Sequence, residues 1–254
     1  MRRVLLGKTG IEVSQLCIGT GTRGWSGESD QTRKLGIKGL ADLLVYAFER
    51  GITFIDSADD YGSHPHVREA SKRIGRENLI ITTKTCAKDA QTMRRELDRF
   101  RCELGTDYLD VVLLHCLMDQ GWPIKLRPVM DVLSEAREDG IVRAVGCSNH
   151  DFGALCTAAD EPWVEVVLVR INPTGHNMEA APEDIVPIIE RMKGLGIGTY
   201  GMKVLAQGRM SDDPKSAIRY QLDVPVDAFV IGMESREQVD ENVRLLEQLT
   251  EVSV

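Results

Sequence analysis

Asp56, Tyr61, Lys84 and His115 are the residues whose types and spacing suit chemistry. Asp56 closes the apolar run Gly51-Ile52-Thr53-Phe54-Ile55, and Tyr61 follows five residues on. Leu79 to Thr83 ends in Lys84, and Leu109 to Leu114 ends in His115. Alone, each has a plainer reading: a strand-end Asp as a turn or helix cap, a Lys as a solvated cation, a His as a structural group. Together at the ends of three buried strands they suit proton transfer. A cation beside a phenol favours phenolate and lowers its pKa. Tyr61 can then give or take a proton near neutral pH. Asp56 would hold Lys84 charged, and His115 can hydrogen-bond a substrate oxygen and orient a carbonyl. A proton donor at a carbonyl, with no metal set beside it, requires a hydride from a cofactor.

The elements that must position these groups alternate regularly. Arg2 to Leu6, a Gly7–Gly10 turn and Ile11 to Val13 read as a hairpin. Apolar strands then start near residues 16, 53, 79, 109, 142, 165, 197 and 228. The steps match a βαβ unit of about 30 residues. Helical stretches fill the gaps. Leu40, Leu43, Leu44, Ala47 and Phe48 form one apolar stripe, and Pro182 to Lys193 opens on proline and stops at Gly194. The pattern predicts one (β/α)8 TIM barrel spanning residues 1–254, with the N-terminal β-hairpin across its bottom. Every strand's C-terminal end then lies on one rim, where Asp56, Tyr61, Lys84 and His115 meet. The rival is an open doubly wound sheet. Gly19-Thr20-Gly21-Thr22-Arg23-Gly24 matches a dinucleotide fingerprint in spacing, but no helix opens there and no acid follows at the next strand end.

Composition narrows the function classes. The net charge of −8 disfavours nucleic-acid and anionic-membrane partners. No apolar run is long enough for a membrane span or a signal peptide. Six cysteines show no CxxC framework, and four sit in apolar runs, which predicts buried reduced thiols and a cytoplasmic location. A metal set of Cys86, Cys116, Cys147 and His115 is opposed by strand alternation, which turns Cys147 toward the helices if Ser148 faces inward. No metal is expected.

Beyond single residues, nearly the whole chain resembles the aldo-keto reductase superfamily. Gly7-Lys8-Thr9-Gly10 with Val13-Ser14 looks like its opening hairpin, and Gly51 through Gly62 like its second-strand signature. Thr83-Lys84, Leu104 to Asp110, Leu114-His115 and Gly146-Cys147-Ser148-Asn149-His150 are similar to the segments that follow. The resemblance implies reduction of an aldehyde or ketone to an alcohol, and the reverse, with NADP(H) or NAD(H). Its tetrad would be Asp56, Tyr61, Lys84 and His115. It further implies that Ser148 and Asn149 hold the nicotinamide carboxamide, that Met202, Lys203, Leu205 and Gln207 follow the ring and pyrophosphate, and that Thr20, Gly21 and Asp56 border the cofactor. Gly232, Glu234, Ser235, Gln238, Glu241 and Asn242 would meet the adenosine end. Leu168 stands where members often carry Gln for the carboxamide. Glu234 stands where many carry a cation for the 2′-phosphate, which suggests tolerance of NADH, with Arg236 as the competing cation. The long C-terminal loop of many members is missing before Val254. Trp25 and Trp122, in loops on the active rim, could wall a pocket for the carbonyl compound, the expected partner. A second reading is a non-catalytic dinucleotide-binding sensor or partner subunit on the same fold. The oligomeric state is not legible.

Overall fold

The hairpin strands β1 (Arg3–Leu5) and β2 (Glu12–Ser14) pair antiparallel, as expected. The computed structural model describes residues 1–251, so the expected domain end at Val254 lies outside the described residues. Eight parallel strands follow: β3 (Leu16–Gly19), β4 (Phe54–Asp56), β5 (Ile80–Thr85), β6 (Leu109–Leu117), β7 (Val142–Asn149), β8 (Val166–Arg170), β9 (Gly198–Met202) and β10 (Ala228–Gly232). They close in sequence order, β10 pairing with both β3 and β9. Outside lie α1 (Asp30–Glu49), α2 (His64–Ile74), α3 (Ala90–Leu104), the four-residue α4 (Trp122–Lys125), α5 (Arg127–Glu138), α6 (Phe152–Asp160), α7 (Pro182–Leu195), α8 (Pro214–Asp223) and α9 (Arg236–Glu251). The fold is the expected (β/α)8 barrel with its hairpin. α1 begins ten residues before the Leu40 stripe, because a Ser29–Thr32 capping box starts it, and it kinks at Gly36.

Strand alternation splits the core into two shells. Cys17, Phe54, Val111, Leu113, Ala144, Val166, Leu168, Tyr200 and Ala228 fill the barrel, with hairpin residues Leu6, Ile11 and Val13 packed against them. Their neighbours Ile18, Ile55, Val112, Val145, Val167 and Phe229 pack outward on the helices. Lys8 N donates to Gly196 O, and Asp227 accepts from Gly7 N and Thr199 N. These contacts lie at the N-terminal ends of β9 and β10, so the hairpin covers the barrel bottom. Two residues beyond the last interior side chains, the same period brings Asp56, His115, Arg170 and Met202 into the top layer. Lys84 joins them two residues past Thr82.

Two expectations fail here. Trp122 is not a loop residue at a pocket. It opens α4, is 2% exposed, and its Nε1 donates to Ala154 O at 3.3 Å, so it anchors α4 to α6. The cysteines are free, but only Cys17 and Cys147 are buried; Cys102 is exposed and the other three are partly so. No helix among the described residues is long and apolar enough to cross a membrane.

Candidate active site

Asp56 and Lys84 are brought together by pairing of β4 with β5. Lys84 Nζ donates to Asp56 Oδ1 and to the Ser57 carbonyl, both at 2.7 Å. Lys84 is fully buried. Burial opposes its charge, but the Asp56 carboxylate first and then Tyr61 outweigh that, and its pKa ends above the ordinary lysine value. The other Asp56 oxygen accepts from Tyr200 OH at 2.8 Å. Both carboxylate oxygens are therefore engaged, as a buried charge requires. Tyr200 is a member of this site that the sequence reading missed. Its signal was the inward period that runs through Met202.

Tyr61 ends a single 3-10 turn, Asp59–Tyr61. A chain of hydroxyls holds the segment that carries it: Thr20 Oγ1 and Ser57 Oγ lie 2.8 and 2.7 Å from Ser63 Oγ. Gly21 must be glycine, since a Cβ there would lie 2.2 Å from the Tyr61 ring. Gly62, at φ 60, closes the turn where a Cβ would strike Gly27 O. Lys84 Nζ lies 4.8 Å from the Tyr61 ring centroid. The expected lowering of the phenol pKa is present but loses. Burial raises it more than Lys84 lowers it, and the pKa ends above the ordinary tyrosine value. Tyr61 thus keeps its proton at neutral pH and stands as an acid rather than a base.

His115 meets the Tyr61 ring edge-on, with centroids 5.7 Å apart. Trp25, half exposed, lies 6.1 Å from the same imidazole. The His115 pKa is pushed down to about 3, by burial first and then by Lys84, His150, Lys203 and Lys88. Its ring is therefore neutral and carries a single N–H. The imidazole signals of His115 in NMR should stay those of the neutral ring from pH 8 to 5, whereas an ordinary histidine half-titrates near about 6.5. The unfolded chain takes up a proton near about 6.5 that the folded ring refuses until about 3, so this group withdraws stability as pH falls through that window. A His115 titration midpoint near 6.5 would remove both statements.

The residues expected around a dinucleotide lie on several barrel strands, the loops after them and α9. Ser148 and Asn149 close β7 and are buried. Ser148 Oγ accepts from Cys116 N at 2.9 Å, while Asn149 Oδ1 is buried with no hydrogen-bond partner. Met202 ends β9, and Lys203 follows at φ 60, partly buried and without an ion-pair partner among the described residues. Burial first, then Arg170 and Lys84, lower the Lys203 pKa. Leu205 packs on the outer core and Gln207 is exposed. Gly232 ends β10 against Thr22, in the stretch after Thr20 and Gly21. Glu234 N donates to Gln238 Oε1, and Gln238 N to Ser235 Oγ at the start of α9. Asn242 is buried, whereas Glu241 is exposed beside Arg50 and Arg244. Arg236 is not the cation near Glu234. Its guanidinium lies 4.8 Å over the Tyr46 ring, and Lys34 Nζ sits 2.6 Å from Glu234 Oε2. The unpartnered buried Asn149 amide oxygen suits a carboxamide, and Lys203, without an ion-pair partner among the described residues, suits a pyrophosphate, so the donor set fits a nicotinamide dinucleotide. Cys147 packs among the helices and Cys116 pairs with His150 at 2.9 Å, so the four-residue metal set weighed from the sequence does not assemble.

The family model described as the aldo/keto reductase family matches residues 15–216. Aldo-keto reductase YhdN of Bacillus subtilis is 32% identical over 177 residues, covering 62% of this chain and 50% of its own length. The NADH-specific methylglyoxal reductase of Escherichia coli is 28% identical over 231 residues, covering 79% of this chain and 67% of its own. The chain thus spans from half to two thirds of these relatives. A Pseudomonas aeruginosa structure described as an aldo-keto reductase superimposes with a TM-score of 0.81 at 25% identity, covering 98% of this chain and 96% of that one. A Bombyx mori aldo-keto reductase in complex with NADP, at 19% identity, shares the fold with a TM-score of 0.71 over 98% of this chain and 92% of that one.

Proposed function

The chain belongs to the aldo/keto reductase family, which is one of NAD(P)-dependent oxidoreductases, and from that premise we propose that it reduces an aldehyde or ketone to an alcohol. The observation that carries this reading is the buried Lys84 ammonium held between Asp56 and the Ser57 carbonyl, under the ring of a protonated Tyr61. Tyr61 gives its proton to the carbonyl oxygen, and Lys84 steadies the phenolate that remains. Asp56 and Tyr200 hold Lys84 in place. Neutral His115 orients the carbonyl through its N–H. When bound, a nicotinamide dinucleotide supplies the hydride. Ser148 and Asn149 would hold its carboxamide, with Met202 under the ring and Lys203 near the pyrophosphate. Trp25 walls the substrate side. The test is a panel of carbonyl compounds followed with both NADH and NADPH. Binding of dinucleotide with no reduction across the panel would favour the sensor reading instead. That reading draws on Leu168, an apolar interior residue beside Ser148.

Cofactor choice turns on Glu234. A 2′-phosphate there meets a like charge and must take Lys34 from its partner. One charge-assisted hydrogen bond lost is worth about 1.5–3 kcal/mol, or roughly 10–150-fold in affinity. We expect wild type to bind NADH at least as well as NADPH, and Glu234→Arg to move the ratio toward NADPH by roughly tenfold or more. Lys34→Ala should move it the other way. Fluorescence titration with each dinucleotide reads both shifts, and an unchanged ratio in Glu234→Arg would remove Glu234 from this role.

A further inference from the structure

Three potential ligands, one of them the His115 imidazole, converge beside the site. Asp60 comes from the turn after β4, Cys86 from the residue after β5, and His115 from β6. Cys86 Sγ donates to Asp60 Oδ2 at 3.1 Å, and His115 Nδ1 lies 3.4 Å from the same oxygen. The three ligand atoms all lie within 4.8 Å of one another. His115 is 93% buried, and its Nδ1 has no hydrogen-bond partner. Buried polar atoms are seldom left so. No lysine or arginine pairs with Asp60 among the described residues.

We propose that Asp60 Oδ2, Cys86 Sγ and His115 Nδ1 form a binding site for a divalent zinc ion beside the reduction site. Once zinc displaces the Cys86 thiol proton to solvent, one thiolate, one imidazole and one carboxylate are zinc donors, and the thiolate argues against magnesium or calcium. Zinc bonds of about 2.0 Å to oxygen and nitrogen and about 2.3 Å to sulfur place tetrahedral ligand atoms roughly 3.3–3.6 Å apart. The 3.1 and 3.4 Å spacings need only small movements to reach that. Three protein ligands leave a fourth position for water. A contrast within the same molecule sharpens the assignment. Asp59, His64 and Glu103 are equally close together, but Arg99 pairs with both carboxylates and the His64 nitrogens are taken by Glu103 and Thr83. There every donor is already engaged. At Asp60, Cys86 and His115 the imidazole nitrogen is not.

The ion would sit on the imidazole assigned above to orient the carbonyl, so only its consequence for turnover rests on that assignment. Binding is tested without any activity. Cobalt(II) titrated into the full-length reduced protein should saturate at one equivalent with a thiolate-to-cobalt absorption band, and zinc should displace it. Cys86→Ser should abolish the band, and Asp60→Asn should weaken binding by at least about tenfold. Zinc should raise the melting temperature of wild type but not of Cys86→Ser. The site is overturned if wild type gives no band, or if the band survives in Cys86→Ser because another cysteine holds the ion. As a readout of consequence, zinc should alter wild-type turnover at concentrations at least about tenfold lower than in Cys86→Ser. Equal sensitivity would uncouple the ion from the reaction and leave the binding result standing.

Discussion

Tyr61→Phe is expected to lower carbonyl turnover by about 10²–10⁴-fold, the usual worth of a positioned general acid. Dinucleotide affinity should stay within a few-fold of wild type. The variant removes one oxygen and leaves every ring contact: the approach to Gly21 and Gly24, the edge-on meeting with His115 and the face toward Lys84. No cavity opens in the ring's packing, so a loss of turnover reports the proton and not the fold. Burial keeps the phenol protonated across the neutral range. The reductive rate of wild type should therefore hold steady through neutral pH and fall only as the phenol or Lys84 deprotonates in alkali. Steady-state rates with a carbonyl substrate, beside dinucleotide titrations of both proteins, separate the two effects. Near wild-type turnover in Tyr61→Phe would end the assignment of Tyr61 as the acid.

The barrel was legible because buried parallel strands are apolar on both faces, so polar residues at their ends stand out. Asp56, Lys84 and His115 announced themselves that way. Tyr200 did not, because an aromatic inside an apolar run looks like core until the inward period is followed from Met202 back to it. Asp60 was hidden beside Asp59: the two acids look alike in sequence, yet one pairs with Arg99 and the other turns toward Cys86 and His115. Trp122 was misread because a four-residue helix leaves too short a pattern to detect. The charge balance at Tyr61 was only half legible. That Lys84 lowers the phenol pKa follows from adjacency. That burial outweighs it depends on how the Gly21–Gly24 segment folds over the ring, a tertiary contact with no sequence period. The cation at Glu234 was likewise set by tertiary structure: Lys34 reaches it from α1, 200 residues away, while Arg236 is drawn off by Tyr46.

Lys84→Met should cost both turnover and stability, and a second substitution should part the two. In wild type the ammonium is fully buried with Asp56, and its partners outweigh the burial penalty. Removing it leaves the Asp56 carboxylate buried with Tyr200 as its one side-chain donor among the described residues. Breaking a buried pair from one side typically destabilises by about 3–5 kcal/mol. Turnover should fall by at least about 10²-fold, because the phenolate left after proton transfer loses the Lys84 cation beside it and the Tyr61 pKa rises further. In Lys84→Met/Asp56→Asn the uncompensated charge is gone. Most of the lost stability should return, since replacing both members of a buried pair by neutral groups is often close to neutral in stability. Turnover should not return, because the cation is still missing. Asp56→Asn alone should slow the reaction less than Lys84→Met does, as it leaves the ammonium in place. Denaturant unfolding of the four proteins, analysed at constant m, reads the stability pattern, and pH–rate profiles read the chemistry. If the double variant regains activity together with stability, Lys84 serves the fold alone and its coupling to Tyr61 is wrong. If it regains stability while staying slow, the charge on Lys84 is what Tyr61 requires.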